Sequence, residues 1–263
     1  MIHLHDLPYL YLLSGLAIGF LTGMTGTGGG ALMTPVLIIF FGIHPVTAVG
    51  TDLLYACITK ASGTVVHAWN RTVNWKVVGW LAAGSVPMTA LTLLALFYLD
   101  IHGNTTQNLV TKILGIALFL TAVSLVFRKQ LIELYSRRVG HLSPRIVRNL
   151  TILTGAVLGV LVSISSVGAG AIGVTALILL YPEMPIVDVV GSGIAHAVPL
   201  TLVAGLGHWA LGSINWQLLM SLLIGSIPGI IFGSMLSARI PEAVVRVTLS
   251  ATLILICAKF WFF

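Results

Sequence analysis

The feature that most constrains this 263-residue sequence is a succession of five apolar runs that occurs twice in the same order of lengths. The first set is Tyr9 to Gly23, Ala31 to Phe41, Ala48 to Trp69, Trp75 to Leu99 and Leu109 to Phe127. The second set is Leu150 to Ile164, Ala171 to Tyr181, Val189 to Leu211, Trp216 to Leu236 and Ala243 to Phe263. Recurrence at a long fixed period marks an internal duplication. Gly15, Gly19, Gly28 and Gly30 match Gly155, Gly159, Gly168 and Gly170 at an offset of 140, and one inserted residue then moves the offset to 141. Beyond it, Gly50-Thr51 aligns with Gly191-Ser192, His67 with His208, and Asn74-Trp75 with Asn215-Trp216. Gly84-Ser85-Val86-Pro87 likewise aligns with Gly225-Ser226-Ile227-Pro228. Rare residue types in register predict two homologous halves, residues 1–127 and 150–263, joined by a linker over 128–149.

What solvent such runs face follows from charge. Only 8% of the residues are charged and 57% are hydrophobic, whereas a soluble domain carries about 25% charged residues. With a mean hydropathy of +1.06, lipid must be the solvent. An ordinary soluble enzyme is excluded. At about 20 residues per crossing, the chain has room for roughly seven to ten segments and for no separate soluble domain. The fold expected is all-α, a polytopic helical bundle in the cell (inner) membrane.

The 13 Lys and Arg outnumber the 7 Asp and Glu, but six of these cations (Arg128, Lys129, Arg137, Arg138, Arg145 and Arg148) crowd the linker, opposed by Glu133 alone. The positive-inside rule assigns that linker to the cytoplasm, and no nucleic-acid partner is expected. Met1 to Pro8 contains no Lys or Arg, so it lacks the basic region of a cleaved signal peptide and the first helix is expected to be retained. The connection Asn70 to Lys76 carries Arg71 and Lys76, whereas Asp100 to Asn108 carries no cation. In the second half the pattern reverses, with Ala210 to Asn215 uncharged and Ser237 to Arg246 holding Arg239 and Arg246. Such a reversal predicts inverted-topology repeats, an odd number of crossings per half, and both chain ends outside.

The chemistry is expected at two Gly-rich interruptions between short runs: Thr25-Gly26-Thr27-Gly28-Gly29-Gly30 and Ser165-Ser166-Val167-Gly168-Ala169-Gly170. Neither following run is long enough to span alone. Paired broken helices at matching places in two halves point to a transporter binding site, because unwound backbone within a membrane is tolerated only where it lines a cavity. Glycine lets a ligand reach the amides, and each break feeds a helix N-terminus whose unpaired N–H groups and dipole favour an anion. The Thr and Ser hydroxyls add neutral donors for a multi-oxygen anion. Close packing of small residues is the competing explanation for one break, and less apt for two in register. Neither break ends in the Gly-Lys of a phosphate-binding P-loop.

Ionisable residues inside apolar runs usually have a partner or a function. Asp52 and Lys60 lie on the third run, about 80° apart and two turns along, so direct pairing within the helix is not expected. Their counterparts in the second half are Gly193 and Thr201, and this asymmetry suits one substrate path. Lys60 is a candidate for attracting the anion. His196 follows Ser192 by one turn and is a candidate proton relay or substrate contact, as Asp52 is for proton coupling. His67 and His208, beside Trp69 and Trp209 ahead of loops, are expected at the membrane interface. Pro87 and Pro228 predict kinks. Cys57 and Cys257 lack metal spacing and are expected to be inert; no metal or cofactor is expected.

The break Gly26 to Gly30 followed by Pro35, then Gly42-Ile43-His44-Pro45 and Ala48-Val49-Gly50-Thr51, resembles the TauE/SafE family of membrane permeases. The resemblance runs from about Leu12 to Phe260 and implies a secondary transporter exporting sulfite, sulfoacetate or related organosulfonates. The second half departs from the motif at Ala169, where the first has Gly29, and at Gly193, where it has Asp52. The combined expectation is alternating access around an anion held by Thr27, Gly28, Gly29, Gly30, Thr51 and Lys60 from one half. Ser165, Ser166, Gly168, Ala169, Gly170, Ser192 and His196 come from the other. An anion channel would share this chemistry. A membrane-embedded enzyme fits less well, since HExxH, GxSxG and clustered Asp/His are all missing from the sequence.

Overall fold

A computed structural model describes residues 7–25, 30–98, 104–127, 130, 143–236 and 251. The first half contributes α1 (Leu7–Thr25), α2 (Gly30–Phe41), α3 (Pro45–Trp69), α4 (Trp75–Tyr98) and α5 (Asn104–Val126). The second contributes α6 (Pro144–Ser165), α7 (Ala171–Leu180), α8 (Ile186–Ala210) and α9 (Trp216–Leu236). All regular structure among the described residues is helical, as the apolar runs predict. Thr27, Gly28, Gly29 and Cys257 lie outside the described residues, as do most of the linker and the last apolar run.

Among the described helices, α4 to α6, α8 and α9 contain stretches long and apolar enough to cross a membrane. α3 matches α8 in length at 25 residues but carries Asp52 and Lys60. α2 and α7 have only 12 and 10 residues, so each falls short of the roughly 20 a crossing requires. α6 begins six residues before its apolar run because Ser143 caps it, accepting a hydrogen bond from the Ile146 amide, and Pro144 opens its first turn. Arg145 and Arg148 consequently sit exposed on helix rather than in a loop.

The halves interlock. α1 packs along α9 and α4 along α6, while α3 packs along α8. The repeated glycines explain the intimacy of the first two pairs. A Cβ on Gly84 of α4 would run into the Ile152 carbonyl oxygen of α6, and one on Gly225 of α9 would run into that of Leu12 of α1. Residues 84 and 225 are 141 apart, residues 12 and 152 are 140 apart, and the two contacts are therefore the same contact made twice. Without hydrophobic contrast between helix and lipid, such backbone-to-backbone approach is the main source of association.

Candidate functional site

The ends of α3 and α8 are tied down first. Asn74 and Asn215 cap α4 and α9, each side-chain oxygen accepting from an amide three residues on (Val77, 3.3 Å; Leu218, 3.0 Å). Their own amides donate across the halves, Asn74 to Ser192 Oγ at 2.9 Å and Asn215 to Thr51 Oγ1 at 3.1 Å. Both Thr51 and Ser192 are fully buried, so these hydroxyls close the helix ends that the repeat places together. His67 Nδ1 lies 2.8 Å from Thr72 Oγ1 and His208 Nδ1 lies 3.0 Å from Ser213 Oγ. His208 Nε2 additionally meets the Ser163 carbonyl oxygen at 2.9 Å, and the ring is buried. The interfacial placement expected for His208 is thus replaced by an internal strut, whereas Trp69, Trp75, Trp209 and Trp216 are the exposed groups at these helix ends.

The second break is a short, ordered loop. Ser166 ends α6 in the left-handed conformation, φ 59°, its amide donating to Val162 at 2.7 Å. Ser165 Oγ donates back to Leu161 O at 2.7 Å and accepts from the Val167 amide at 3.2 Å. Gly168, at φ 112°, holds a conformation that side chains rarely adopt. Ala169 is buried, and Gly170 precedes the first turn of α7 with no side-chain cap. Val167 and Ala171 belong to one apolar core with Ala31, Leu32 and Met33, which follow the first break. The break of one half is therefore joined through a continuous core to the start of α2 in the other, where Gly30 is the first helical residue.

Against this loop lies Asp52. Its carboxylate is fully buried and accepts a hydrogen bond from Thr34 of α2 through Oδ2. Oδ1 and the Ser166 hydroxyl are buried next to one another, the hydroxyl placed to donate to the carboxylate. Lys60 is close enough to act on Asp52, Cys57 and His196 through space, yet makes no ion pair among the described residues. Part of its surface remains accessible even though protein surrounds it. A buried hydroxyl beside a buried carboxylate offers a donor to an acceptor, so Ser166 and Asp52 form one polar pair between the second break and α3.

The structure brings together Asp52, Ser166, Lys60 and His196, and leaves Thr51, Ser165 and Ser192 engaged in the loop contacts above. Residues outside the expected set join them. Ser85 Oγ lies 2.9 Å from His196 Nε2. Its counterpart Ser226 lies 3.4 Å from Thr59 Oγ1 and beside the buried hydroxyl of Tyr55. Tyr55 and His196 are equivalent at the 141-residue offset, as are Ser85 and Ser226. The repeated Gly-Ser-x-Pro carried this signal: each serine reaches across to the other half's third-run helix just before a proline inside α4 or α9. Cys57 is buried, its thiol directed at the Val198 carbonyl oxygen at 3.8 Å.

A profile of the sulfite exporter TauE/SafE family matches residues 11–260. The chain belongs to the TauE/SafE family. Among curated relatives, a probable membrane transporter protein of Bacillus subtilis, YjnA, is 40% identical over 229 residues, covering 87% of this chain and 89% of the relative. A probable membrane transporter protein of Xylella fastidiosa (strain Temecula1) is 28% identical over 86% of this chain and 84% of its own length. One from Methanocaldococcus jannaschii, MJ0441, is 25% identical over 93% and 91%. No solved structure gives a significant match. This TauE/SafE protein is a multi-pass integral membrane protein of the cell membrane, a membrane transporter by family, and its apolar helices agree with that.

Proposed function

We propose that this protein is a secondary transporter, not an enzyme, that exports small sulfur oxyanions such as sulfite, sulfoacetate or related organosulfonates. The observation that carries the reading is the buried cluster at the second break, where the Ser166 hydroxyl and the Asp52 carboxylate meet within electrostatic reach of Lys60. Lys60 supplies the attraction, and the N-terminus of α7 with the loop Ser166 to Gly170 supplies oriented dipoles and donors. Thr27, Gly28, Gly29 and Gly30 contribute the matching break of the first half. The repeat supports inverted halves, 1–127 and 150–263, that rock about this centre, with Asp52 and His196 the candidate coupling groups. Thr51 and Ser192 hold the helix ends that frame the path.

Sulfite flux into proteoliposomes tests the proposal. Saturable flux with counterflow is expected, and Lys60→Met should raise the half-saturating concentration at least about tenfold, the loss of one charge-assisted contact. Unchanged flux and affinity in that variant would remove Lys60 from the site, and unsaturable flux would favour a channel.

A further inference from the structure

We infer that the linker-side end of the α4–α6 pair binds the headgroup phosphate of an anionic phospholipid through Arg71, Lys76, Arg145 and Arg148. The site is separate from the Asp52 cluster and does not depend on which anion the protein transports.

The two helices bring these cations to one level. A Cβ on Gly155 would run into the Leu81 carbonyl oxygen and one on Gly159 into that of Ser85, so α4 and α6 run side by side in the same direction. A Cβ on Gly84 would meet the Ala156 amide at 2.8 Å; eight residues before Gly84 stands Lys76, and eight before Ala156 stands Arg148. Arg145, Arg148, Ile152, Gly155 and Gly159 are spaced three and four apart, so both arginines continue the stripe of α6 that packs on α4, at the level where α4 begins. Arg71 occupies the turn that leads into α4. That turn is fixed, the Arg71 and Thr72 amides donating back to Ala68 at 3.1 Å and His67 at 3.0 Å. All four cations are exposed. Glu183 and Asp188 share this end, because a hydrogen bond of 2.8 Å between Tyr181 and Thr151 seats their connection on α6, but the cations outnumber them.

The duplicated end of the molecule shows that packing does not require these charges. There α9 and α1 make the same glycine contacts, and the counterparts of Arg71, Lys76, Arg145 and Arg148 are Gly212, Gln217, His5 and Pro8. The comparison at Arg71 is the sharpest. Both turns need a left-handed residue, and Gly212 supplies it at φ 71°, whereas the first half holds an arginine there at φ 57° against the preference of side chains. Orientation by the positive-inside rule needs cations somewhere in a connection, not an arginine at a left-handed position.

What the end offers is a lipid-facing anion site. The Lys76 ammonium points along α4 into the apolar stretch, 5.2 Å from the centre of the Trp80 ring, and a cation–π contact leaves its charge and its donors available. Trp69 and Trp75 stand exposed at the same turn, as indoles do at headgroup level. Basic side chains beside apolar helix faces at that depth complement a phosphate that carries acyl chains, and they attract anionic over zwitterionic lipid.

Native mass spectrometry of the purified full chain in neutral detergent, titrated separately with phosphatidylglycerol and phosphatidylcholine, tests the site. Phosphatidylglycerol should bind at least about tenfold more tightly than phosphatidylcholine. Arg71→Gly with Lys76→Gln writes the second half's residues into the first and should weaken phosphatidylglycerol binding roughly 30-fold. Arg145→Gln with Arg148→Gln, both at exposed positions, should do the same and keeps the test decisive where the first double variant does not fold. Lys112 is exposed on α5, well short of that helix's linker end, and Lys112→Gln should leave binding unchanged. Equal retention of the two lipids, undiminished phosphatidylglycerol binding in the double variants, or an equal loss in Lys112→Gln would each overturn the site. Displacement of phosphatidylglycerol by an equal concentration of inorganic phosphate would assign the cations to a soluble anion and overturn the lipid as occupant. Sulfur-anion flux enters none of these readouts, so the site and the transport reading can fail separately.

Discussion

α3 and α8 correspond position by position at an offset of 141 residues, and their agreements and differences fall in different places. Both have 25 residues, both pair a small residue with a hydroxyl near the start, and both end on a histidine held by a hydroxyl five residues on. Where backbone meets backbone, the halves agree. They part company in the middle, where α3 carries Asp52, Tyr55, Thr59 and Lys60 and α8 carries Gly193, His196, Leu200 and Thr201. Packing must be satisfied in each half separately, whereas the transport path proposed above needs only one set of charges. On α3 and α8, the duplicated positions are those that make the packing and loop contacts, and the unduplicated ones carry the ionisable groups.

That contrast can be broken most forcefully at a duplicated glycine. Gly84→Leu should push α4 off α6 and destabilise the protein by more than about 3 kcal/mol, read as loss of folded material by size-exclusion in detergent. Gly79, also on α4 but with open space where its Cβ would stand, is the control, and Gly79→Ala should be tolerated. Next comes the histidine pair. His208→Ala loses two contacts in a buried setting and should cost about 2 to 3 kcal/mol, against about 1 for His67→Ala at its single side-chain contact; equal losses would erase the distinction between them. Lys60→Thr, which writes the second half's residue into the first, should weaken sulfite binding at least about tenfold while moving the thermal midpoint little. The smallest effect is expected at the caps across the halves: Ser192→Ala and Thr51→Val should each cost about 1 kcal/mol in thermal unfolding and leave the half-saturating concentration unchanged.

The helices were legible because apolar length is a strong signal when the solvent is lipid. The run Trp216 to Leu236 coincides with α9, and Trp75 to Leu99 differs from α4 by one residue. The glycine breaks were legible for the same reason, as interruptions of that signal. Which face of each helix turns inward was not. In water, a buried face declares itself by periodic apolarity, but a helix that is apolar all round carries no such stripe. Thr34, Tyr55 and Ser85 were therefore invisible among neighbours of similar polarity, although the repeated Gly-Ser-x-Pro offered a clue for Ser85 and Ser226. The pairing of Asp52 with Ser166 spans 114 positions of sequence and follows only from how the halves interlock.

The exchange of partners between halves also sets a schedule for assembly. α1 ends at Thr25 and its partner α9 begins at Trp216, so 191 residues of synthesis separate the two. At about 5 to 20 residues per second, the first helix waits in the bilayer for roughly 10 to 40 seconds before the groove it fits exists. α4 and α6 can meet far sooner, so that pair is complete before α1 and α9 can join. Until α9 arrives, Gly15 and Gly19 lack the Leu222 and Ser226 backbone against which they pack.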